Sequence, residues 1–205
     1  MSRKELEIYL DRLERFENPD ELAEQYPTPS NVAANLLWNL NLDAGFQDKT
    51  VIDLGAGTGI LGIGAGMLGA KHVHFVDYDG SALKTAKKNA EILPDDVETT
   101  FTLNSVQHFN PKQTYDYALI NPPFGTRNKG IDTAFLQKGC EAAHTVLSMH
   151  KTTTRVYIAK KARSFGKQIL NEHHVRFPLA KTLNHHREQQ KFIDVSAFIL
   201  TTPTP

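Results

Sequence analysis

The first part of the chain carries hydrophobic residues every three or four positions, a spacing that predicts two helices ahead of any strand. Within residues 3–16, the apolar side chains at this spacing are Leu6, Leu10, Leu13 and Phe16. Ser30 is a suitable cap for a second helix, because its hydroxyl can accept a free backbone N–H. The side chains that this second helix is expected to bury are Val32, Ala33, Leu36, Leu37 and Leu40.

From residue 50 onward, short apolar runs alternate with helical patterns. The predicted strands are 50–54, 72–76, 98–103, 115–120, 154–159, 175–179 and 192–200. The predicted helices are 60–68, 81–93, 133–147 and 160–171. Such alternation predicts an α/β fold with a mostly parallel sheet, right-handed crossovers and helices on both faces. The last two strands are separated only by polar residues, so they are expected to form an antiparallel hairpin.

The composition fits one globular domain of 205 residues, with 40% hydrophobic and 22% charged positions. It excludes a wholly disordered or fibrous protein, and no apolar run is long enough to span a membrane. The single cysteine, Cys140, cannot form an internal disulfide, which favours a reducing cytoplasm, and it is expected to fill core space. We predict one domain over 1–205, with a helical segment at 1–45, a catalytic core at 46–200 and a frayed tail at 201–205.

The charge is distributed unevenly, although the net charge is zero. Residues 1–100 carry 9 Lys and Arg against 17 Asp and Glu, whereas residues 101–205 carry 14 against 6. A basic half favours contact with a polyanion such as nucleic acid. An ordinary solvated surface is the alternative interpretation.

A glycine turn, DLGAGTG at 53–59, follows the first predicted strand directly. Alternating glycines let the backbone turn sharply and approach a ligand where a Cβ atom would collide. Residues 57–62 also fit the dinucleotide pattern G-x-G-x-x-G, but that fingerprint normally opens directly off the strand. The turn resembles motif I of methyltransferases that use S-adenosylmethionine (AdoMet). This resemblance assigns four residues to cofactor binding: Asp53, Gly55, Gly57 and Gly59.

An acid follows the second predicted strand. The carboxylate of Asp77 is placed to accept hydrogen bonds from the ribose hydroxyls of a bound nucleoside. Methyltransferases of this type often have another acid after the third strand, which bonds the adenine of the cofactor. This chain has Asn104 and Ser105 there, and either side chain is a candidate for that contact.

The tetrapeptide Asn121-Pro122-Pro123-Phe124 follows the fourth predicted strand. The exocyclic amine of adenine is a poor nucleophile, because its lone pair is delocalised into the ring. The Asn121 side-chain oxygen and the Pro122 carbonyl can accept its two N–H groups and turn the lone pair toward a methyl donor. The prolines stiffen the loop, and Phe124 offers a ring on which an extruded base can stack. The sequence resembles the [DNS]-P-P-[YFW] motif of amino-methyltransferases, which implies that Asn121 also lies beside the cofactor.

Five further segments extend the resemblance to roughly residues 5–200. They are EQYPT (24–28), MLGA (67–70), NPPFGT (121–126), DTAFL (132–136) and HKTTTR (150–155) followed by KKA (160–162). Together they resemble the methyltransferase-like family that N6-methylates an adenosine in small-subunit ribosomal RNA. The family implies a Rossmann-like sheet in the order 3-2-1-4-5-7-6, with AdoMet as cofactor. It also implies an N-terminal lid over the cofactor formed by Gln25, Tyr26 and Thr28.

The resemblance also implies two partners. Eukaryotic members act with a small zinc-binding activator that adds a strand at the sheet edge, here predicted to be Glu98–Leu103. The zinc would belong to that partner; no metal site is expected in this chain, whose histidine pairs 173/174 and 185/186 are poorly placed to chelate. The rRNA is expected to contact basic residues that follow the catalytic loop and the fifth strand: Arg127, Lys129, Lys151, Arg155, Lys160, Lys161, Arg163 and Lys167.

Three other functions share some of these features. A protein-glutamine or a DNA-adenine methyltransferase uses the same tetrapeptide, although the glutamine-methylating class usually carries Tyr where Phe124 stands. An AdoMet-binding assembly factor could grip precursor rRNA without turnover. The intact Asn121 argues against the last of these, because a protein that only binds has no use for an amine-orienting oxygen.

Overall fold

The computed structural model describes residues 1–17, 26–43, 45–124, 130–178 and 192–203. The helices are α1 (Arg3–Asp11), α2 (Ser30–Asp43), α3 (Ile60–Met67), α4 (Gly80–Asn89), α5 (Ile131–Ala142) and α6 (Arg155–Ser164). The strands are β1 (Thr50–Leu54), β2 (His72–Asp77), β3 (Glu98–Leu103), β4 (Tyr115–Ile120), β5 (Ala143–Lys151), β6 (Gln168–Pro178) and β7 (Phe192–Thr201). No helix in these ranges is both long and apolar enough to cross a bilayer.

Seven strands form one sheet in the order β3-β2-β1-β4-β5-β7-β6. Strands β1 to β5 pair in parallel, whereas β7 lies antiparallel between β5 and β6. The predicted Rossmann-like fold, strand order and C-terminal hairpin are therefore confirmed. Because β1, β2 and β4 are parallel neighbours, their carboxyl ends meet at one edge of the sheet, where ligands bind in such folds.

Alternate residues of the strands feed two apolar layers. Val51 of β1 faces a layer that includes side chains of α1, α2 and α3, whereas Ile52 and Leu54 face a layer formed with α5 and α6. The five α2 side chains predicted to be buried all lie in the first layer. The N-terminal helices α1 and α2 thus pack into the core that supports the sheet.

Helix α3 lies close to its neighbours because three of its residues are glycines. A Cβ atom on Gly62 would lie 2.5 Å from the Phe75 ring of β2, and one on Gly64 would lie 2.4 Å from Leu37 of α2. A side chain at either position would collide, so the helical glycines allow this close packing. Close packing also explains Gly62, the last glycine of the dinucleotide-like pattern at 57–62, without a dinucleotide site.

The predicted boundaries around the fifth strand are wrong. The sequence predicted helix 133–147, strand 154–159 and helix 160–171, whereas β5 occupies Ala143–Lys151 and α6 occupies Arg155–Ser164. Strand β5 lies between β4 and β7, and residues 146–150 are buried on both faces. Its polar residues Ser148 and His150 are buried as well, so they do not mark a solvent-facing side by which a strand is recognised. In α6, Ile158 and Ala162 are the buried pair at helical spacing, whereas Val156 and Tyr157 are exposed.

Both ends of the chain also differ from the prediction. Helix α1 ends at Asp11 rather than at residue 16, which leaves Phe16 outside the helix. At the other end, β7 includes Thr201, and the backbone N–H of Thr202 donates to the His144 carbonyl. Residues 201 and 202 therefore belong to the sheet rather than to a frayed tail.

Candidate active site

A cleft of about 720 Å³, open to solvent, lies at the carboxyl edge of β1, β2 and β4. Its walls come from the glycine turn, the ends of these strands, the segment that precedes α2, and α5. The residues that decide its chemistry are Tyr26, Thr28, Asp53, Gly55, Gly57, Asp77, Asn121 and Pro123. Several residues that the sequence predicted from separate motifs therefore line one cleft.

The glycine turn adopts the left-handed conformation that its sequence predicts. Gly55, Gly57 and Gly59 have φ angles of 71°, 55° and 87°. Space is also restricted at two of them: a Cβ on Gly55 would lie 2.6 Å from the Phe135 ring, and one on Gly57 would lie 2.8 Å from the Phe16 ring. The turn thus needs glycine for its backbone angles and for the two aromatic rings packed against it.

Asp77 lies at the end of β2 and is 6% exposed. Its Oδ2 atom accepts a hydrogen bond from the Gly57 N–H at 2.8 Å, and its Oδ1 atom accepts one from the Asp79 N–H at 2.9 Å. Burial raises the pKa of the Asp77 carboxyl above its ordinary value. The Tyr78 N–H also bonds this carboxylate. A carboxylate has about four lone-pair sites, so three backbone donors still leave room for a ligand hydroxyl.

Asp53, at the end of β1, is 1% exposed and also lines the cleft. Its Oδ2 atom accepts a hydrogen bond from the Gly62 N–H at 2.8 Å, which joins the strand to α3. Burial raises the pKa of this carboxyl to about 7, because a charge in an apolar setting is poorly solvated. Asp53 is therefore poised to change charge near neutrality.

Asn121 lies directly after β4, in the wall of the cleft. Its side-chain Nδ2 donates a 2.9 Å hydrogen bond to the Thr28 hydroxyl. Its Oδ1 atom is buried and has no hydrogen-bond partner among the described residues. A buried acceptor without a donor is costly, so this oxygen is available for a ligand N–H.

The rest of the tetrapeptide is divided between the cleft and the core. Pro123 lines the cleft beside Asn121. Phe124 is 9% exposed and packs edge-to-face on Phe177 of β6, with ring centroids 5.7 Å apart. The predicted stacking of a base on Phe124 therefore requires the ring to exchange part of its contact with Phe177. Pro122 is buried and does not line the cleft.

The predicted lid and adenine contacts fall partly elsewhere. Tyr26 and Thr28 line the cleft, whereas Gln25 lies outside the described residues. Neither Asn104 nor Ser105 is in its wall, although their neighbour Val106 is. Asn104 lines a separate polar cavity that contains His72 and His74, and the Ser105 hydroxyl bonds His108 at 3.0 Å.

His72 and His74 are held by hydrogen bonds within the chain, and Cys140 fills core space as predicted. His72 bonds Thr100 at 2.9 Å, and His74 bonds both the Tyr115 hydroxyl and Thr102, at 2.6 and 2.8 Å. Burial lowers the pKa of His74 to about 4, so it is neutral at neutral pH. Cys140 of α5 lies in the core, and burial raises the pKa of its thiol to about 12.

The basic residues of the C-terminal half differ in their availability. Lys160 of α6 is exposed, and the Lys161 ammonium lies 5.7 Å from the centre of the Tyr157 ring. Arg155 forms a two-point ion pair with Glu172, at 2.9 and 2.5 Å. Lys151 ends β5, whereas Arg127 and Lys129 lie outside the described residues.

The prediction that Lys167 contacts RNA is wrong. This side chain is 6% exposed, and its ammonium donates to the carbonyls of Ala143 and His144 and to the Thr202 hydroxyl, at 2.6, 2.9 and 2.7 Å. The buried ammonium thus links the start of β5 to Thr202, the residue after β7. Spacing alone could not distinguish it from the exposed lysines of α6.

Two aromatic residues of the cleft were not assigned to it from the sequence. Phe16 was placed on a helix, but it lies beyond α1 and covers Gly57. Phe135 projects from α5 onto Gly55 and was noted only as part of a matching segment. Gly55 and Gly57 were the only hint in the sequence that aromatic rings pack here, since each lacks the Cβ atom that would collide with a ring.

Comparisons with known proteins fit this geometry. Residues 31–188 match the model of the methyltransferase small domain. The chain is 37% identical to the rRNA N6-adenosine methyltransferase METTL5 of Danio rerio, with all of both chains aligned. It is 34% identical to the Drosophila melanogaster enzyme of that name, over 94% of this chain and 92% of the relative. This chain belongs to the METTL5 family of methyltransferases.

The solved structures show how far this methyltransferase fold is shared. Protein PH1948 of Pyrococcus horikoshii is 33% identical, with a TM-score of 0.88 over 98% of both chains. A magnesium protoporphyrin IX methyltransferase from Synechocystis, solved with bound AdoMet, is 15% identical over 83% of this chain and 78% of its own, with a TM-score of 0.65. The likeness to the Synechocystis enzyme establishes a shared fold alone. The likeness to PH1948 includes the sequence as well, over almost the whole length of both chains.

Proposed function

We propose that this member of the METTL5 family transfers a methyl group from AdoMet to N6 of an adenosine in small-subunit rRNA. The observation that carries the proposal is the buried Oδ1 atom of Asn121 in the wall of the cleft, for which the described part of the chain offers no hydrogen-bond donor. A primary amine on an aromatic ring supplies the N–H donor that this oxygen lacks. The activity named for the animal relatives supports the choice of rRNA adenosine.

The residues of the cleft fit AdoMet as the methyl source. Asp77 provides a buried carboxylate for ribose hydroxyls, and the glycine turn exposes backbone without a Cβ atom at Gly57. Asp53 adds a second carboxyl that can become negative near neutral pH, which suits a cationic ligand. Tyr26 and Thr28 border the same space, and Gln25 is expected to do so. When bound, AdoMet supplies an electrophilic methyl group on its sulfonium.

The chain's own contribution to the chemistry is orientation of the amine. The Asn121 Oδ1 atom accepts one amine hydrogen, and the Pro122 carbonyl is proposed to accept the other. The nitrogen then loses conjugation with the ring, and its lone pair points toward the methyl group. These contacts strengthen as the nitrogen gains positive charge, so they act mainly in the transition state. The methylated amine then loses a proton readily, and no side chain is required as a prior base.

The RNA is proposed to follow the basic surface near the ends of β4 and β5. Lys151, Lys160 and Lys161 are the candidates within the described residues, and Arg127 and Lys129 follow the catalytic tetrapeptide in sequence. Arg155 can contribute only if it shares its guanidinium with Glu172. A single-stranded or junction adenosine costs least to unstack, and Phe124 is proposed to receive it.

The free edge of β3 is proposed to bind a small zinc-binding activator. Strand β3 is an outer strand of the sheet, and Leu103 at its end is 65% exposed. Phe101, by contrast, stacks on Phe75 with ring centroids 4.9 Å apart. An edge strand with exposed apolar groups favours strand addition by a partner. The zinc would be held by that partner.

We further propose that the chain works as one catalytic domain in the cytoplasm, with residues 1–45 closing over the cofactor. The packing of α1 and α2 into the core supports this, because it holds the two helices on either side of the residues that face the cofactor. Phe16 and Thr28 come from that segment and already border the cleft. Fractionation of cells that express a tagged chain tests the location.

The test is methylation of small-subunit rRNA fragments with labelled AdoMet, in the presence and absence of the activator, followed by nucleoside analysis. The expected product is N6-methyladenosine at one position. Parallel assays use protein and DNA substrates. Label in a glutamine side chain or in DNA adenine, but not in rRNA, would show that the chain is a protein-glutamine or a DNA-adenine methyltransferase instead. Cofactor binding without product in any substrate would indicate an assembly factor instead.

A further inference from the structure

Thr28 and Asn121 are 93 residues apart in sequence and meet in the cleft through a single side-chain hydrogen bond. The bond is 2.9 Å long and runs from Asn121 Nδ2 to Thr28 Oγ1. The other half of the amide, Oδ1, has no partner among the described residues. Thr28 therefore contacts the half of the amide that the proposed chemistry does not use.

An asparagine amide has a donor end and an acceptor end of almost equal size. Rotation of Asn121 by 180° would place Nδ2, a donor, where Oδ1 stands. The substrate amine also presents donors, so the rotated amide would repel the group that it must orient. The direction of the amide thus decides whether the pocket accepts an amine, and the Asn121 side chain alone does not fix that direction.

The position of Thr28 is itself well determined. Its side chain is 7% exposed, and it lies between Pro27 and Pro29, whose rings restrict the backbone. The Pro29 carbonyl accepts the N–H groups of Val32 and Ala33, which ties the segment to the start of α2. Because the backbone around Thr28 is already restrained, its hydroxyl can accept from Asn121 Nδ2 without a further entropy cost when a substrate binds.

We propose that Thr28 is a positioning residue that fixes the Asn121 amide with its oxygen available to the substrate amine. This inference rests on the proposed function and adds to the cofactor contact expected from the sequence. Its consequence is that the cleft selects substrates with an N–H donor over those that present only acceptors, such as a keto oxygen. The selection depends on a residue outside the catalytic tetrapeptide.

The test compares Thr28→Val and Thr28→Ala, which lack the hydroxyl, with Thr28→Ser, which keeps it. The first two are expected to lower kcat for RNA by on the order of tenfold, the value of one hydrogen bond. AdoMet affinity is measured for each variant and kcat is taken at saturating AdoMet, so a loss of the cofactor contact expected of Thr28 is separated from the loss of orientation. Thr28→Ser should retain most of the rate. The alanine variant keeps the comparison valid if valine disturbs the buried site, and thermal unfolding of each variant establishes that it is folded.

A second background isolates the orientation effect. In Asn121→Asp, both terminal atoms are oxygen, so rotation of the side chain no longer exchanges an acceptor for a donor. Adding Thr28→Val or Thr28→Ala to Asn121→Asp should therefore have a much smaller effect on kcat than in the wild type. Equal effects in both backgrounds, or weaker AdoMet binding at unchanged kcat, would overturn the inference. Absence of RNA product from the wild-type chain would instead contradict the proposed function.

Discussion

The Oδ2 atom of Asp77 accepts a hydrogen bond from the backbone N–H of Gly57 at 2.8 Å, which links the end of β2 to the glycine turn after β1. The same carboxylate holds the Asp79 N–H through its other oxygen. Asp77 therefore shapes the glycine turn through hydrogen bonds within the chain. The sequence predicted that Asp77 contacts a ligand. The structure adds that Asp77 also holds the glycine turn, which lines the same cleft.

Replacing Asp77 with Ala should weaken AdoMet binding by on the order of 1–3 kcal/mol, because charged hydrogen bonds to the ligand and the loop are lost together. Asp77→Asn is the matched control; it keeps one acceptor and should lose less. Isothermal calorimetry measures both. Tighter binding of NAD than of AdoMet by the wild type would show that the cleft serves a different cofactor.

Replacing Asn121 with Ala should nearly abolish methyl transfer while AdoMet affinity stays within a few-fold. The reason is that Oδ1 orients the amine chiefly in the transition state. Single-turnover assays on rRNA fragments and calorimetry separate the two effects. Substantial turnover by this variant on an RNA adenosine would mean that another group orients the amine.

The ionisation of Asp53 should make stability depend on pH. Its pKa is about 7 in the folded protein against an ordinary 3.8, so the folded state holds the proton more tightly. Its contribution to stability is complete below the unfolded pKa and is lost as pH rises through about 7. Between these values, the free energy of unfolding of wild type relative to Asp53→Asn should fall by about 1.4 kcal/mol per pH unit.

Urea unfolding at a series of pH values measures this difference, and taking it against the variant cancels the titration of other groups. Asp95→Asn is the control for removing one carboxyl from the chain, because Asp95 is exposed. A flat difference for Asp53→Asn would indicate that its carboxyl titrates at the same pH in both states. AdoMet should favour the ionised carboxyl, which lowers the Asp53 pKa in the folded complex and so makes the loss of stability with rising pH smaller.

Charge reversal on α6 should weaken RNA binding. Lys160→Glu with Lys161→Glu removes two proposed phosphate contacts, and each lost contact should flatten the log–log salt dependence by about 0.7 for a single strand. Lys84→Glu with Lys87→Glu on α4 is the matched control, since both of these lysines are exposed on another helix. The same loss in both double variants would point to a general effect of net charge. The pair Arg127 and Lys129 is expected to behave like the α6 pair, with little change in AdoMet affinity.

A charge at the end of β3 should prevent assembly with the activator. Leu103→Lys introduces it at a side chain that is 65% exposed, so the fold should be retained. Leu170→Lys on β6, the opposite edge strand, is the control, because Leu170 is 59% exposed. Co-purification and activity measure the outcome. Equal complex formation by both variants would exclude the β3 edge as the binding surface.

Local sequence determined the features that a short stretch of chain decides by itself. The glycine turn and the stiff Asn121–Phe124 tetrapeptide depend on backbone preferences of a few neighbouring residues, so both could be located and their place at strand ends predicted. Strands β1, β2 and β4 were also found, because each is a short, largely apolar run bounded by turn residues or polar segments. Strand β3 was found although it is mostly polar, because Thr and Phe favour extended backbone. The family resemblance then supplied the strand order, which the structure confirms.

Tertiary structure decided whatever depends on contacts between distant segments. The first half of strand β5 was assigned to a helix, because the strand is buried on both faces and its polar residues do not mark a solvent-facing side. Lys167 resembles the exposed lysines of α6 in sequence, and only the carbonyls of Ala143 and His144 make it a buried anchor. The bond between Thr28 and Asn121 arises in the same way, since folding alone brings a residue before α2 to the end of β4. Sequence thus identified the reactive groups, whereas packing decided which atoms of those groups remain free to act.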